Sequence, residues 1–141
     1  MTDKIHQISA FAVSRKRKAG TIAAYALYDN GELVITRTVR FDGISEHRAL
    51  LMAVWSAIAY HKHRMPQEFI SVYCDDATVP NELTDVWYGT HNLPCDKDRD
   101  RIDNIMRDSC FINGVAFGVC RADDADGYSK RMQSLIENIQ P

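Results

Sequence analysis

Apolar and polar positions fall into short β-like runs in the first third of the chain and into helical stripes after it. Residues Ile5 to Val13 (IHQISAFAV) form an apolar, β-rich run that predicts a first strand. The basic stretch after it, Ser14 to Gly20, reads as a charged turn closing on a glycine suited to a tight reversal. Thr21 to Tyr28 (TIAAYALY) carries no charge, as expected of a central strand covered on both faces. Asp29-Asn30-Gly31 signals a hairpin, because Asn-Gly accepts the positive φ values of a type I′ turn. A third strand follows from Glu32 to Phe41, where Leu33, Ile35 and Val39 mix with Arg37 and Arg40 on a half-exposed face.

The period then changes. Asp42-Gly43 breaks the strand and Ser45 is a good helix N-cap. Ala49, Leu50, Ala53, Val54, Ala57 and Ile58 recur at helical spacing, so an amphipathic helix runs to His61–Arg64, with Pro66 forbidding continuation. The basic cluster His61-Lys62-His63-Arg64 suits the negative end of that helix's dipole. Phe69 to Cys74 predicts a short strand, entered from a helix and so parallel to the first. Thr78 to Tyr88 predicts a short, interrupted helix with Val86, Trp87 and Tyr88 as anchoring bulk. Asp96 to Phe111 predicts a surface helix with the apolar stripe Ile102, Ile105 and Met106. Asn113-Gly114 turns the chain into a last strand, Val115 to Cys120. An acidic loop, Arg121 to Gly127, leads to a closing amphipathic helix marked by Tyr128, Met132, Leu135, Ile136 and Ile139.

The order β-β-β-α-β-α-β-α implies an α+β (or α/β) domain with a five-stranded mixed sheet flanked by helices. At 141 residues, with no repeat or linker, residues 1–141 are expected to form one domain. A net charge of −2 supplies no global basic field, so any affinity for nucleic acid must come from a local patch. Cys74 and Cys120 sit in apolar runs, and none of the four cysteines forms a CxxC pair. His91 and Cys95 offer two zinc ligands without a second pair, so no zinc is expected. The N-terminus has no apolar leader-like run and nothing approaches membrane-spanning length, so a cytoplasmic protein with reduced thiols and no membrane partner is expected.

Local residues extend the topology into a resemblance. Ser45-Glu-His-Arg-Ala-Leu-Leu-Met-Ala53 is similar in length, small-residue placement and apolar pattern to the T-x-N-x-M-E-L-x-A entry of ribonuclease H-like proteins into their first helix. Cys74-Asp75-Asp76 resembles the Thr-Asp-Ser-like end of that family's fourth strand, and Val115 to Ile139 resembles its late strand, polar loop and terminal helix. The resemblance covers nearly the whole chain and implies a ribonuclease H-like fold. In active members it also implies four carboxylates holding two magnesium ions that activate water on a phosphodiester.

Matched position by position, this chain lacks most of those carboxylates. The first strand offers Val13, Ser14 or Arg15, the helix glutamate falls on Leu50, and the closing-helix aspartate falls near Gln133 beside Lys130 and Arg131. Only Asp75 stands at its motif position. A rebuilt site would draw on Glu46, one helical turn before Leu50, with Asp75 and Asp124 of the acidic loop, and would hold one magnesium or manganese ion. The plainer reading makes Glu46 a first-turn acid complementing the helix dipole and Asp124, with Asp123 and Asp126, a solvated loop.

Arg15, Lys16, Arg17 and Lys18 are the densest positive charge in the chain, and Arg37 and Arg40 on the third strand extend them toward a phosphate-binding patch. The expectation is a catalytically degenerate ribonuclease H-like module, not an enzyme and without cofactor. It would bind nucleic acid or a regulatory partner, as suits an accessory factor of a phage or mobile element. Two alternatives stand beside it: a magnesium- or manganese-dependent nuclease using Glu46, Asp75 and Asp124, and a protein-interaction module.

Overall fold

The computed structural model describes residues 6–89, 96–120 and 127–139. Three strands come first: β1 (Ile8–Arg17), β2 (Gly20–Asp29) and β3 (Glu32–Phe41). They are followed by α1 (Glu46–Arg64), β4 (Ile70–Cys74), α2 (Thr78–Trp87), α3 (Asp96–Ser109), β5 (Val115–Val119) and α4 (Gly127–Asn138). The strands form one sheet in the order β3-β2-β1-β4-β5. β1, β2 and β3 pair antiparallel, whereas β4 pairs parallel to β1 and β5 parallel to β4. This is the mixed five-stranded sheet the alternating runs imply.

Two expectations need correction. β1 does not stop at Val13. It continues to Arg17 because Ser14, Arg15, Lys16 and Arg17 find ladder partners in Ala23, Ile22, Thr21 and Gly20. Pairing with β2 overrides the turn-like composition, and the hairpin narrows to Lys18 and Ala19. α2 is continuous through Trp87, and Tyr88 is 74% exposed, so it anchors nothing.

Alternation sorts the strands onto two faces. Ala10, Ala12, Ala23, Tyr25 and Leu27 meet α1, while Phe11, Val13, Ala24 and Ala26 meet α4. Ala49, Ala53 and Ala57 lie one turn apart on the buried side of α1, and their small side chains let the helix settle on the alanine-rich strands. Ser45 caps α1 by accepting the Arg48 N–H at 3.2 Å. The helix ends where the Met65 N–H donates to the His61 carbonyl at 2.8 Å, just before Pro66. In β3 the partner of Leu27 is Ile35 and that of Tyr28 is Leu33, so Val34 is an extra, bulged residue. Among the described residues no helix is long and apolar enough to cross a membrane.

Candidate functional site

β1 and β4 run parallel, so their C-terminal ends lie side by side next to the start of α1. Beyond Cys74 the chain leaves β4, and the Asp75 carboxylate meets the Arg15 guanidinium, Oδ2 to Nη2, at 2.5 Å. The side chains are 30% (Arg15) and 14% (Asp75) exposed, so water screens the pair only in part. Asp76 instead turns back and accepts the Thr78 N–H at 2.9 Å, opening α2. Glu46 is tied to β1 twice: its carbonyl accepts the Ser14 hydroxyl and its Oε1 accepts the Lys16 N–H, both at 2.6 Å. Leu50, which the resemblance sets at the helix glutamate, is buried. Ser14, Arg15, Glu46, Leu50 and Asp76 edge a cavity of about 220 Å³.

The donor set does not fit the two-ion arrangement that the resemblance implies. Asp75, the carboxylate the resemblance puts at a motif position, already carries a fixed cation, and a divalent ion placed there would meet Arg15 at close range. Glu46 spends one oxygen on a backbone donor. Among the described residues no group of three His, Cys, Asp or Glu side chains could hold a metal ion. Asp124, like Asp123, Asp126, His91 and Cys95, lies outside the described residues. On α4, Gln133 is exposed and donates to Glu137 at 3.2 Å. Arg131 lies 4.8 Å from the ring centres of both Tyr28 and Tyr128.

A charged network missed from the sequence flanks this edge. His47 faces Glu82 at 3.0 Å through Nε2 and Asp98 at 3.4 Å through Nδ1, while Arg48 donates to Asp98 at 3.0 Å. It ties the first turn of α1 to α2 and α3. The partners lie 35 and 50 residues away along the chain, beyond any local pattern.

The six basic residues do not form one patch. Arg15 is committed to Asp75, and Lys16 has the strand parity of the α1 side. Arg17, Lys18 and Arg40 share a groove of about 450 Å³ on the α4 side with Ile22 and Ile139. Arg37 lies on the opposite side, in a groove against α1. At the far end of α1 the basic cluster is internally paired. Arg64 bonds Asp29 at 2.9 Å, Lys62 bonds Asp108 at 3.0 Å, and buried His61 meets the Glu68 carbonyl at 2.7 Å. The Trp55 indole also donates to Asp108, at 2.8 Å, and so serves packing between α1 and α3.

No protein-family model matches the sequence, and no curated protein matches it either. Solved structures do match. RNase H1 from the halophilic archaeon Halobacterium salinarum superposes with a TM-score of 0.71 at 13% identity, over 92% of this chain and 93% of that one. The N-terminal RNase H domain of a Mycobacterium tuberculosis protein gives 0.71 at 6% identity, over 92% and 95%. LC11-RNase H1, isolated from compost and crystallised with an RNA/DNA hybrid, gives 0.71 at 8%, over 94% and 98%. The chain has the ribonuclease H-like fold. At these identities the ribonuclease H-like likeness speaks for the backbone and not for the activity. The site must be read from its own residues.

Proposed function

We propose that this chain is a catalytically degenerate ribonuclease H-like domain that binds nucleic acid without cutting it. The observation that carries this reading is the Arg15 guanidinium seated on Asp75, a cation where hydrolysis by this fold needs metal-binding charge. Leu50 and the backbone-bound Glu46 support it. Binding is assigned to Arg17, Lys18 and Arg40, which share one groove and form no ion pair among the described residues. LC11-RNase H1, whose fold this chain shares, was crystallised with an RNA/DNA hybrid, so a hybrid is the first ligand to try.

The test pairs cleavage with binding. Incubation with RNA/DNA hybrid, duplex or single strands in magnesium or manganese should leave every substrate intact. Metal-dependent cleavage that Asp75→Asn abolishes would overturn the proposal. Hybrid affinity should fall with salt. Replacing Arg17, Lys18 and Arg40 together by Ala should flatten the log–log salt slope by about 2 to 3 units, one phosphate contact per cation. An unchanged slope would remove the groove from the reading.

A further inference from the structure

A groove of about 420 Å³ separates α1 from the β2–β3 end of the sheet, on the face opposite the Arg17, Lys18 and Arg40 groove. Tyr25, Val39, Phe41, Met52 and Trp55 make much of its lining. Arg37 and His63 are its ionisable basic residues, and no carboxylate lines it. β3, which forms one wall, is the edge strand of the sheet, so the outward backbone groups of Ile35–Phe41 have no strand partner among the described residues. Val39 on this wall is 49% exposed, an apolar side chain with open space before it. Arg37 makes no hydrogen bond or ion pair among the described residues.

We propose that the Ile35–Phe41 edge accepts an extended, acidic segment of a partner protein as a sixth strand. Every second side chain of that segment enters the groove, and a carboxylate meets Arg37. Four observations converge on this occupant. Free edge groups supply the main-chain bonds that strand addition needs, and the adjoining apolar groove receives alternate side chains. The bulge at Val34 interrupts the ladder before Leu33, so the longest regular stretch of the edge, Ile35–Phe41, is the one facing the groove. Arg37, with no carboxylate beside it in the lining, attracts an acidic segment and repels a basic one. Arg40, on the other face of the same strand, presents a second cation to the outward side of the added strand.

A second copy of the chain fits less well. Two-fold pairing of β3 centred on Arg37 sets that residue against itself. Centring on Thr38 leaves the two arginines diagonal on one face, and centring on Thr36 runs into the bulge, which throws the following residues onto the wrong faces. A nucleic-acid backbone wants a row of cations, which this groove lacks.

The test titrates the full chain with acetyl-Ile-Glu-Ile-Thr-Glu-Thr-Ile-amide, whose glutamates oppose Arg40 and Arg37 in antiparallel register, and with the same peptide carrying lysine for glutamate. Backbone amide shifts should move saturably along Ile35–Phe41 and the facing side of α1. The lysine peptide should bind at least about tenfold more weakly, and Arg37→Glu should invert that preference. Arg37 and Val39 are exposed, so Arg37→Glu and Val39→Asp should fold normally, and Val39→Asp should abolish binding. Any of four results overturns the proposal. These are absence of saturable shifts, equal binding of both peptides, a β3-dependent dimer in sedimentation that Val39→Asp dissociates, and a single-stranded oligonucleotide alone shifting Val39 and the facing side of α1 as the peptide should.

Discussion

On one face of the sheet α1, α2 and α3 bury Leu51, Ile58, Leu83, Ile102 and Ile105 completely. On the other α4 works alone, over a smaller cluster of Phe11, Val13, Met132, Leu135 and Ile139. Part of its hold there comes from rings and a cation. Phe11 packs on Tyr28, Tyr73 and Tyr128 at 5.5 to 5.7 Å, and Arg131 sits between Tyr28 and Tyr128. One helix does not cover five strands, so the β1–β2 hairpin end stays open with Arg17, Lys18 and Arg40 around it. The comparison teaches that alternate residues of a single strand serve different ends. Even positions of β1 are stitched to α1 as far as Ser14, while odd positions run from Phe11 in a core to Arg17 in an open groove.

The largest test of that inequality is a pair of cavity mutants. Ile58→Ala, on the buried side of α1 in the larger core, is expected to cost about 4 kcal/mol, because its neighbours are held from several sides and cannot collapse into the void. Leu135→Ala should cost about 2.5 kcal/mol, since a lone helix with solvent on its flank can settle toward the sheet. Urea unfolding of both variants measures the difference. Equal costs, or a larger one at Leu135, would show that the two faces are packed alike.

Much of this architecture was legible before any coordinates. Strand alternation, the Asn30-Gly31 turn and the Ser45 cap with its four-residue alanine spacing placed the meander and α1 correctly. Even the split of the cations was implicit: Arg37 and Arg40 are three apart, and a period of two puts them on opposite faces. The end of β1 was hidden because four residues typical of a turn are held extended by the strand beside them. The Arg15–Asp75 pair was hidden by a sequence separation of 60.

Acid should expose a second, smaller asymmetry. His61 is fully buried at the end of α1, its Nε2 bonded to the Glu68 carbonyl and its Nδ1 without a partner. Burial pushes its pKa below the ordinary histidine value, with the nearby Arg64 charge adding to the effect. The unfolded chain therefore takes up a proton that the native state refuses. Stability is intact above about pH 6.5 and is lost as pH falls below it. Asp29 and Asp108 extend the loss further into acid: burial alone would raise them, but hydrogen bonds from His6 and Arg64, and from Lys62 and Trp55, hold both low. Their contribution is present above the usual carboxylate range and disappears as pH drops through it. His61→Gln should flatten the stability profile between pH 7 and 5 without touching the steeper fall near pH 4. A profile unchanged by that substitution would mean the imidazole protonates without penalty in the folded protein.

The smallest effect sits on the α4 face and asks what kind of contact holds that helix. Arg131→Met keeps an unbranched apolar stem between Tyr28 and Tyr128 but removes the charge, along with a long 3.4 Å hydrogen bond to Ser9. A cation between two rings contributes about 1 kcal/mol when half-screened, and methionine sulfur returns part of it, so a loss of about 0.5 to 1 kcal/mol is expected. Arg131→Ala, which also gives up the stem, should cost about 2 kcal/mol, because the rings then lose packing as well as charge. A methionine variant as stable as the parent, with the alanine variant still weakened, would assign the contact to packing alone. α4 would then be docked by apolar burial just as α1 is, and the two faces would differ in extent but not in kind.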